Sequence, residues 1–232
     1  MNNGRLVEIY QQPILGRLFV VGDIHGCYAL LMKQLELIRF DFTQDLLISV
    51  GDVVDRGADS LKCLNLIHEP WFKAIRGNHE QYCIDSTLDN TLKPIHIKHG
   101  GAWLYQLSED QQREIVGMCL DLPVVLEVNY HDKKYGFVHA DISINDWEQF
   151  KLAIHTDDYL TNSDSAQVLA LWYHGRIHQT QSDTHYQLVE NVDEIYLGHT
   201  VVDQPKQYQN CFFIDTGAVF GGKLTIKELV GK

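Results

Sequence analysis

An α/β fold is predicted for this chain, with parallel βαβ units in its first third and mixed or antiparallel strands beyond. Three observations carry that prediction. Short apolar runs alternate with segments of helical period up to Leu88. The early runs are apolar almost throughout, as strands buried on both faces are. Each of the first three also ends in glycine followed by a short oxygen-bearing side chain.

The elements follow in order. "RLFVVGD" (Arg17–Asp23) reads as a strand, and "CYALLMKQLELI" (Cys27–Ile38) as a helix with Leu31, Leu35 and Ile38 on one face. "DLLISVGD" (Asp45–Asp52) is a second strand, "DSLKCLNLI" (Asp59–Ile67) a second helix, and "WFKAIRGN" leads into the helical "HEQYCIDSTL". Helical segments fill roughly Ala102–Leu120. "PVVLEVNY" and "KKYGFVHA" flank "HDKK" as a hairpin, and a polar stretch, His155–Asp193, carries one helix near Ser165–Tyr173. Three strand-like runs close the chain: "EIYLGH", "CFFIDTG" and "KLTIKEL".

The 232 residues suit one domain, residues 1–232, with a helical insert at about 85–120 and a polar variable region at about 141–193. A net charge of -12 disfavours nucleic acid and anionic membrane as partners, because both call for basic surface. No apolar run approaches the roughly 18 residues of a membrane span. The opening "MNNGRLVEIY" lacks the basic and apolar start of a secretory signal. Five cysteines without paired spacing argue for a reducing compartment, so the expected location is the cytoplasm.

In open α/β sheets, ligands bind beyond the carboxyl ends of the strands. "VVGD", "SVGD" and "IRGN" therefore set Asp23, Asp52 and Asn78 at equivalent places on one rim. By position it is Asn78, and not its neighbour His79, that matches the two aspartates. His25 lies two residues beyond Asp23, and two later strands end in His139 and His199. A lone Gly-Asp is usually a turn and a lone strand-end histidine usually a hydrogen-bonded residue; five strand-end side chains of this kind together are not so explained. They suit two divalent ions sharing a carboxylate. Oxygen and imidazole ligands without thiolate favour Mn²⁺ or Fe, with Zn²⁺ as a further fit.

The strings "GDIHG", "GDVVDRG" and "RGNHE", with "VHA" and "GHT" after them, resemble the signature of the phosphoprotein phosphatase family of two-metal phosphoesterases. The resemblance runs from about residue 17 to 229 and points to the bacterial and phage branch. It is weakest over Ser86–Leu120 and Asp141–Asn191. It implies a calcineurin-like metallophosphoesterase β-sandwich flanked by helices, around a βαβαβ metal-binding core. It further implies Asp23, His25 and Asp52 on one metal, and Asp52, Asn78, His139 and His199 on the other. His79 would be the general acid, oriented by Asp55, and Arg56 and Arg76 would contact the phosphoryl group or support the site. Members of this branch carry Trp-x-Arg-x-Arg, whose first arginine clamps phosphate. Here the stretch is "WYHGR", leaving Arg176 or His174 as substitute clamp.

The implied activity is hydrolysis of phosphoserine and phosphothreonine in phosphoproteins or phosphopeptides, with phosphotyrosine as an additional substrate. A hydroxide held between the two ions would attack phosphorus directly. The alternative is a symmetrical diadenosine tetraphosphate hydrolase. That family resembles the chain around "GDIHGCY" but has Ala-Arg-Gly and GNHD where this chain has Asp55-Arg56-Gly57 and GNHE.

Overall fold

The structure, a computed structural model, describes residues 5–156, 159, 162–178 and 186–231. Two β-sheets pack face to face with helices on their outer sides. The smaller sheet contains β2 (Leu18–Val21), β3 (Leu46–Ser49), β4 (Phe72–Ala74) and β10 (Ile226–Leu229), in the order β10-β2-β3-β4. β2, β3 and β4 run parallel, so their carboxyl ends share one rim. β10 is antiparallel to β2 and closes the edge. The larger sheet has the order β1-β5-β6-β7-β9-β8, from β1 (Val7–Tyr10), β5 (Val125–Tyr130), β6 (Lys133–Val138), β7 (Glu194–Leu197), β8 (Lys206–Tyr208) and β9 (Cys211–Phe213).

Strand alternation explains why the central strands β2 and β3 read as continuous apolar runs. Leu18, Val20, Leu46 and Ile48 face Leu126, Val128, Tyr135, Phe137 and Tyr196 between the sheets. Their neighbours Phe19, Val21 and Leu47 face outward. There they meet α1 (Tyr28–Leu37), α2 (Ser60–Asn65), α3 (Asn78–Leu88) and α5 (Glu109–Asp121). Val125, Val138, Ile195 and Leu197 pack outward against α6 (Trp147–Thr156) and α7 (Ala166–Trp172). With both faces covered, β2 and β3 have no solvent-facing side to show.

The expected hairpin is β5–β6, paired antiparallel from Val125↔Val138 to Tyr130↔Lys133. Its two turn residues, His131 and Asp132, both have positive φ (47° and 61°), which matches the right-handed strand twist. The helical insert resolves into the end of α3, a 3-10 turn, α4 (Lys93–Lys98), a second 3-10 turn at Gly101–Gln106, and α5. Three elements escaped the sequence reading: β1, β8 and α6. The four residues of β1 and the three of β8 are too few to show a period. α6 has its apolar residues (Trp147, Phe150, Ile154) at helical spacing, but they lie among charged ones. Parts of the polar region fall outside the described residues.

Candidate metal centre and proton donor

The parallel strands end in loops that carry the site. Asp23 and His25 follow β2, Asp52 and Asp55 follow β3, and Asn78 opens α3 after β4. His139 follows β6 and His199 follows β7, which brings the larger sheet to the same rim. Two glycines make the approach possible. A Cβ on Gly77 would fall 2.2 Å from Asp52 Oδ1, and one on Gly198 would fall 2.1 Å from Asp23 Oδ1.

The geometry gathers all six expected ligands. Asp52 turns one oxygen to each side: Oδ2 lies 3.4 Å from His25 Nε2, and Oδ1 lies 3.4 Å from His139 Nε2. Asp23 Oδ2 is 4.0 Å from His25 Nε2. Asn78 Oδ1 lies 2.8 Å from His139 Nε2 and 2.9 Å from His199 Nδ1.

The donor and acceptor roles show what this cluster suits. His25 Nδ1 donates to the Val54 carbonyl, His139 Nδ1 to that of Val50, and His199 Nε2 to that of Trp172. The remaining nitrogen of each ring therefore points inward, the orientation that metal-binding histidines take. Burial pushes His25 down to about 4 and His199 down to about 3, so both rings are neutral near pH 7 and their inward nitrogens are lone pairs. For His139, burial is outweighed by the Asp52 charge and the pKa is raised, so positive charge is favoured at that point. Asn78 presents its carbonyl oxygen to two imidazoles, although its amide group could have donated to both. Arg56 Nη1 lies against His25 Nε2, a cation resting on one of the inward lone pairs.

Carboxylate behaviour agrees. Burial, then Asp215 and Asp52, push Asp23 well above the ordinary range. Burial also opposes the charge of Asp52, yet His139 and His79 hold it well below that range. Lone pairs from carboxylate, amide and imidazole converging in a buried space fit divalent cations. Those able to hold one ion are Asp23, His25 and Asp52; those able to hold a second are Asp52, Asn78, His139 and His199.

His79 lies beside the ligands: its backbone N–H donates to Asp52 Oδ1 at 2.9 Å, and its ring meets that of His25 edge-on. Its Nδ1 is 2.7 Å from Asp55 Oδ2, and its Nε2 is buried with no hydrogen-bond partner. That nitrogen lies 3.9 Å from Asp52 Oδ2, beside the metal cluster. A 290 Å³ cleft lined by Asp52, Arg56, Asn78, Tyr82, His99, Trp172, His174 and His199 opens onto the cluster.

The three expected phosphate-binding arginines separate. Arg56 is exposed at the cleft, with its guanidinium 5.1 Å from the Phe220 ring. Arg76 is not at the cleft. It is buried and donates to the Leu120 and Leu122 carbonyls (2.8 and 3.1 Å) and to Gln81 Oε1, tying β4 to the end of α5. Arg176 is fully buried and donates to the carbonyls of Gln187 and Ile142 and to Asn145 Oδ1. Its guanidinium pairs with Asp141 at 3.7 Å. The expectation of phosphate contact is corrected for Arg76 and Arg176: each side chain is already committed to buried acceptors. His174, not Arg176, reaches the cleft, stacked on His199 at 4.4 Å with Nδ1 2.7 Å from Thr200 Oγ1. Burial and His178 push His174 below its ordinary range, so it offers an aromatic face without charge.

Sequence reasoning missed Glu80, His96 and Trp103. Glu80 accepts four backbone N–H groups, from Gly77 (2.7 Å), Asp52 (2.9 Å), Val53 (2.9 Å) and Val54 (3.2 Å). It thereby binds the β3 loop to the start of α3. A glutamate at the third helical position reaching back to the residue before the helix is a readable capping signal. Burial and the Asp52 charge push this carboxyl up to about 7, while the Gly77 N–H pulls the other way. His96 and Trp103 carry no spacing signal at all; both meet Asp55.

Rim chemistry of this kind on a helix-flanked sandwich places the protein among metal-using hydrolases. The family follows from comparison with known proteins: the chain belongs to the calcineurin-like phosphoesterases, whose family model matches residues 16–203. A relative from Salmonella typhimurium named serine/threonine-protein phosphatase 1 is 36% identical over 229 residues, covering 96% of this chain and 97% of the relative. The Escherichia coli serine/threonine-protein phosphatase 2 is 32% identical over 217 residues, covering 91% of this chain and 92% of its own. Among solved structures, the cold-active protein-tyrosine phosphatase of a psychrophilic Shewanella aligns with a TM-score of 0.64. It is 15% identical, with 97% of this chain and 78% of that one covered, a likeness of fold.

Proposed function

We propose that the chain is a metal-dependent phosphoprotein phosphatase acting on phosphoserine and phosphothreonine, with Mn²⁺ as the best-fitting ion. The observation that carries this reading is a buried His79–Asp55 pair whose free nitrogen faces a rim of inward lone pairs. The names of the two relatives, which match over nearly their whole length, support the choice of serine and threonine esters. When bound, two divalent ions would supply charge neutralisation for the phosphoryl oxygens and an acidified water.

The chain's own residues account for the rest. Arg56 offers the phosphoryl group a guanidinium at the cleft. A serine or threonine leaving oxygen departs as a strongly basic alkoxide and needs a proton. Asp55 takes the Nδ1–H of His79, so the protonated ring presents its second proton at Nε2, on the cluster side. Donation from Nε2 leaves a neutral ring still bonded to Asp55. Tyr82 and Trp172 wall the cleft, and the open mouth leaves room for phosphotyrosine as an additional substrate. All five cysteines are free thiols, which suits a reducing location such as the cytoplasm. Among the described residues, no helix is long and apolar enough to cross a membrane.

The test is a Mn²⁺-reconstituted assay on phosphoserine, phosphothreonine and phosphotyrosine peptides beside diadenosine tetraphosphate. Peptide turnover that falls about 10²–10⁴-fold in His79→Asn is expected for loss of a general acid. Preference for the dinucleotide would replace the proposal with the tetraphosphatase reading.

A further inference from the structure

We propose that His96, assisted by Trp103, is a positioning residue for the proton donor: it fixes the Asp55 carboxylate that orients His79. The assignment rests on the phosphatase reading above and adds to it a part played by the helical insert.

Asp55 has no exposed surface, so its charge must be met by hydrogen bonds inside the protein. His79 supplies only one. His96 Nε2 lies 2.9 Å from Oδ2, the same oxygen that receives His79 Nδ1, and Trp103 Nε1 donates to Oδ1 at 2.7 Å. A carboxylate only accepts, so all three nitrogens donate. Two imidazoles sharing one oxygen fix where that oxygen sits, while the indole fixes the rotation of the group about its Cβ–Cγ bond. Asp55 itself stands on strained backbone, with φ of 69°.

His96 is held in turn. Its Nδ1 is 2.8 Å from the Tyr105 hydroxyl, which lies 2.7 Å from Ser86 Oγ. The ring stacks on Tyr82 (centroids 5.7 Å apart, 17° between planes), and Tyr82 also meets His79 edge-on. The backbone of the following 3-10 turn presses directly on it: a Cβ at Gly101 would fall 2.0 Å from Nε2. His96 is wholly buried and does not line the cleft, so it acts through Asp55 and not on substrate. Burial opposes the charge of Asp55, yet the bonds from His79 and His96 hold its carboxyl below the ordinary range.

A leaving-group comparison separates positioning from general damage. A phosphoserine peptide needs the His79 proton; 2,4-dinitrophenyl phosphate releases a stable anion and does not. In His96→Phe, kcat should fall at least about tenfold further for the peptide than for the aryl ester, a fraction of what a general acid contributes. KM for both should hold. His96→Gln keeps an N–H toward Asp55 and should recover most of the difference, and Trp103→Phe should show the split in milder form. If the phenylalanine variant fails to fold, the glutamine and Trp103 variants carry the test. In ¹⁵N-histidine-labelled protein, the low-field Nδ1–H signal of His79 should broaden or shift in His96→Phe. Parallel losses on both esters, or a glutamine variant no better than phenylalanine, would overturn the assignment while leaving the phosphatase reading intact. Wild-type protein that turns over neither ester would overturn both.

Discussion

Replacing Arg176 by methionine distinguishes a phosphate clamp from a structural brace. In the structure the guanidinium is wholly buried and donates to three oxygens, those of Gln187, Ile142 and Asn145, at 2.8, 3.1 and 2.9 Å. It also faces Asp141, whose carboxylate is almost fully buried. Removing one partner of a buried ion pair costs about 3–5 kcal/mol. Asp141 keeps two backbone donors, from Ile142 (2.7 Å) and Arg176 itself (2.8 Å), and these soften the loss. Three acceptors losing charged donors add to it, so about 4 kcal/mol is a fair sum. For a chain of this size that is a fall in Tm of about 8–16 °C. The assay pairs thermal unfolding by circular dichroism with steady-state kinetics below the transition. A large fall in Tm with unchanged KM for a phosphate ester is expected, and Asp141→Asn should recover part of it in the double variant. An unchanged Tm with KM raised tenfold or more would refute the reasoning and return Arg176 to the cleft.

Arg56→Ala should do the reverse, raising KM for phosphate esters about tenfold, the worth of roughly 1.4 kcal/mol, with Tm nearly unchanged, because the side chain is exposed at the cleft. An unmoved KM would remove Arg56 from substrate binding. Gly77→Ala should abolish high-affinity Mn²⁺ binding in isothermal titration, since its Cβ would sit 2.2 Å from Asp52 Oδ1; wild-type stoichiometry in that variant would contradict it. Orthovanadate, a phosphate mimic, should bind the Mn²⁺-loaded protein at least about a hundredfold more tightly than the chelated one, because two divalent charges offset two buried carboxylates. Equal affinities would place anion binding elsewhere.

The parallel core was legible because burial on both faces leaves a plain mark in composition, and glycine at each strand end marks where the rim begins. Asp23, Asp52 and Asn78 could be read in that way. The brief edge strands could not: Val7–Tyr10 and Lys206–Tyr208 are too short for a period, and their pairing is set by β5 and β9. The arginines show a different limit. Arg76 and Arg176 lie close in sequence to site residues, and proximity in sequence does not say which way a side chain points. Their backbone positions put the guanidinium groups inside, where carbonyls of distant segments receive them. His96 was unreadable for the converse reason. It is 41 positions from Asp55, in one of the two regions where the resemblance is weakest, and it is the folding of the insert onto α3 and the loop after β3 that brings the two together.

Strain and site chemistry meet at several residues of this rim. His25, Asp52, Asp55, Arg56 and His199 all have φ between 44° and 69°, a region that costs non-glycine residues on the order of 1 kcal/mol each. Such conformations persist only where surrounding bonds over-determine them. Here Glu80 binds the N–H groups of Asp52, Val53 and Val54, while Asp52 O receives those of Ile24 and His25 (3.1 and 2.8 Å). His199 N in turn donates to both oxygens of Asp23, at 3.2 and 3.1 Å. Glu80 does not line the cleft, yet it holds the backbone from which Asp52 and Asp55 project. The metal cluster and the proton donor therefore depend on one common clamp, and their spacing is set by the sheet beneath them.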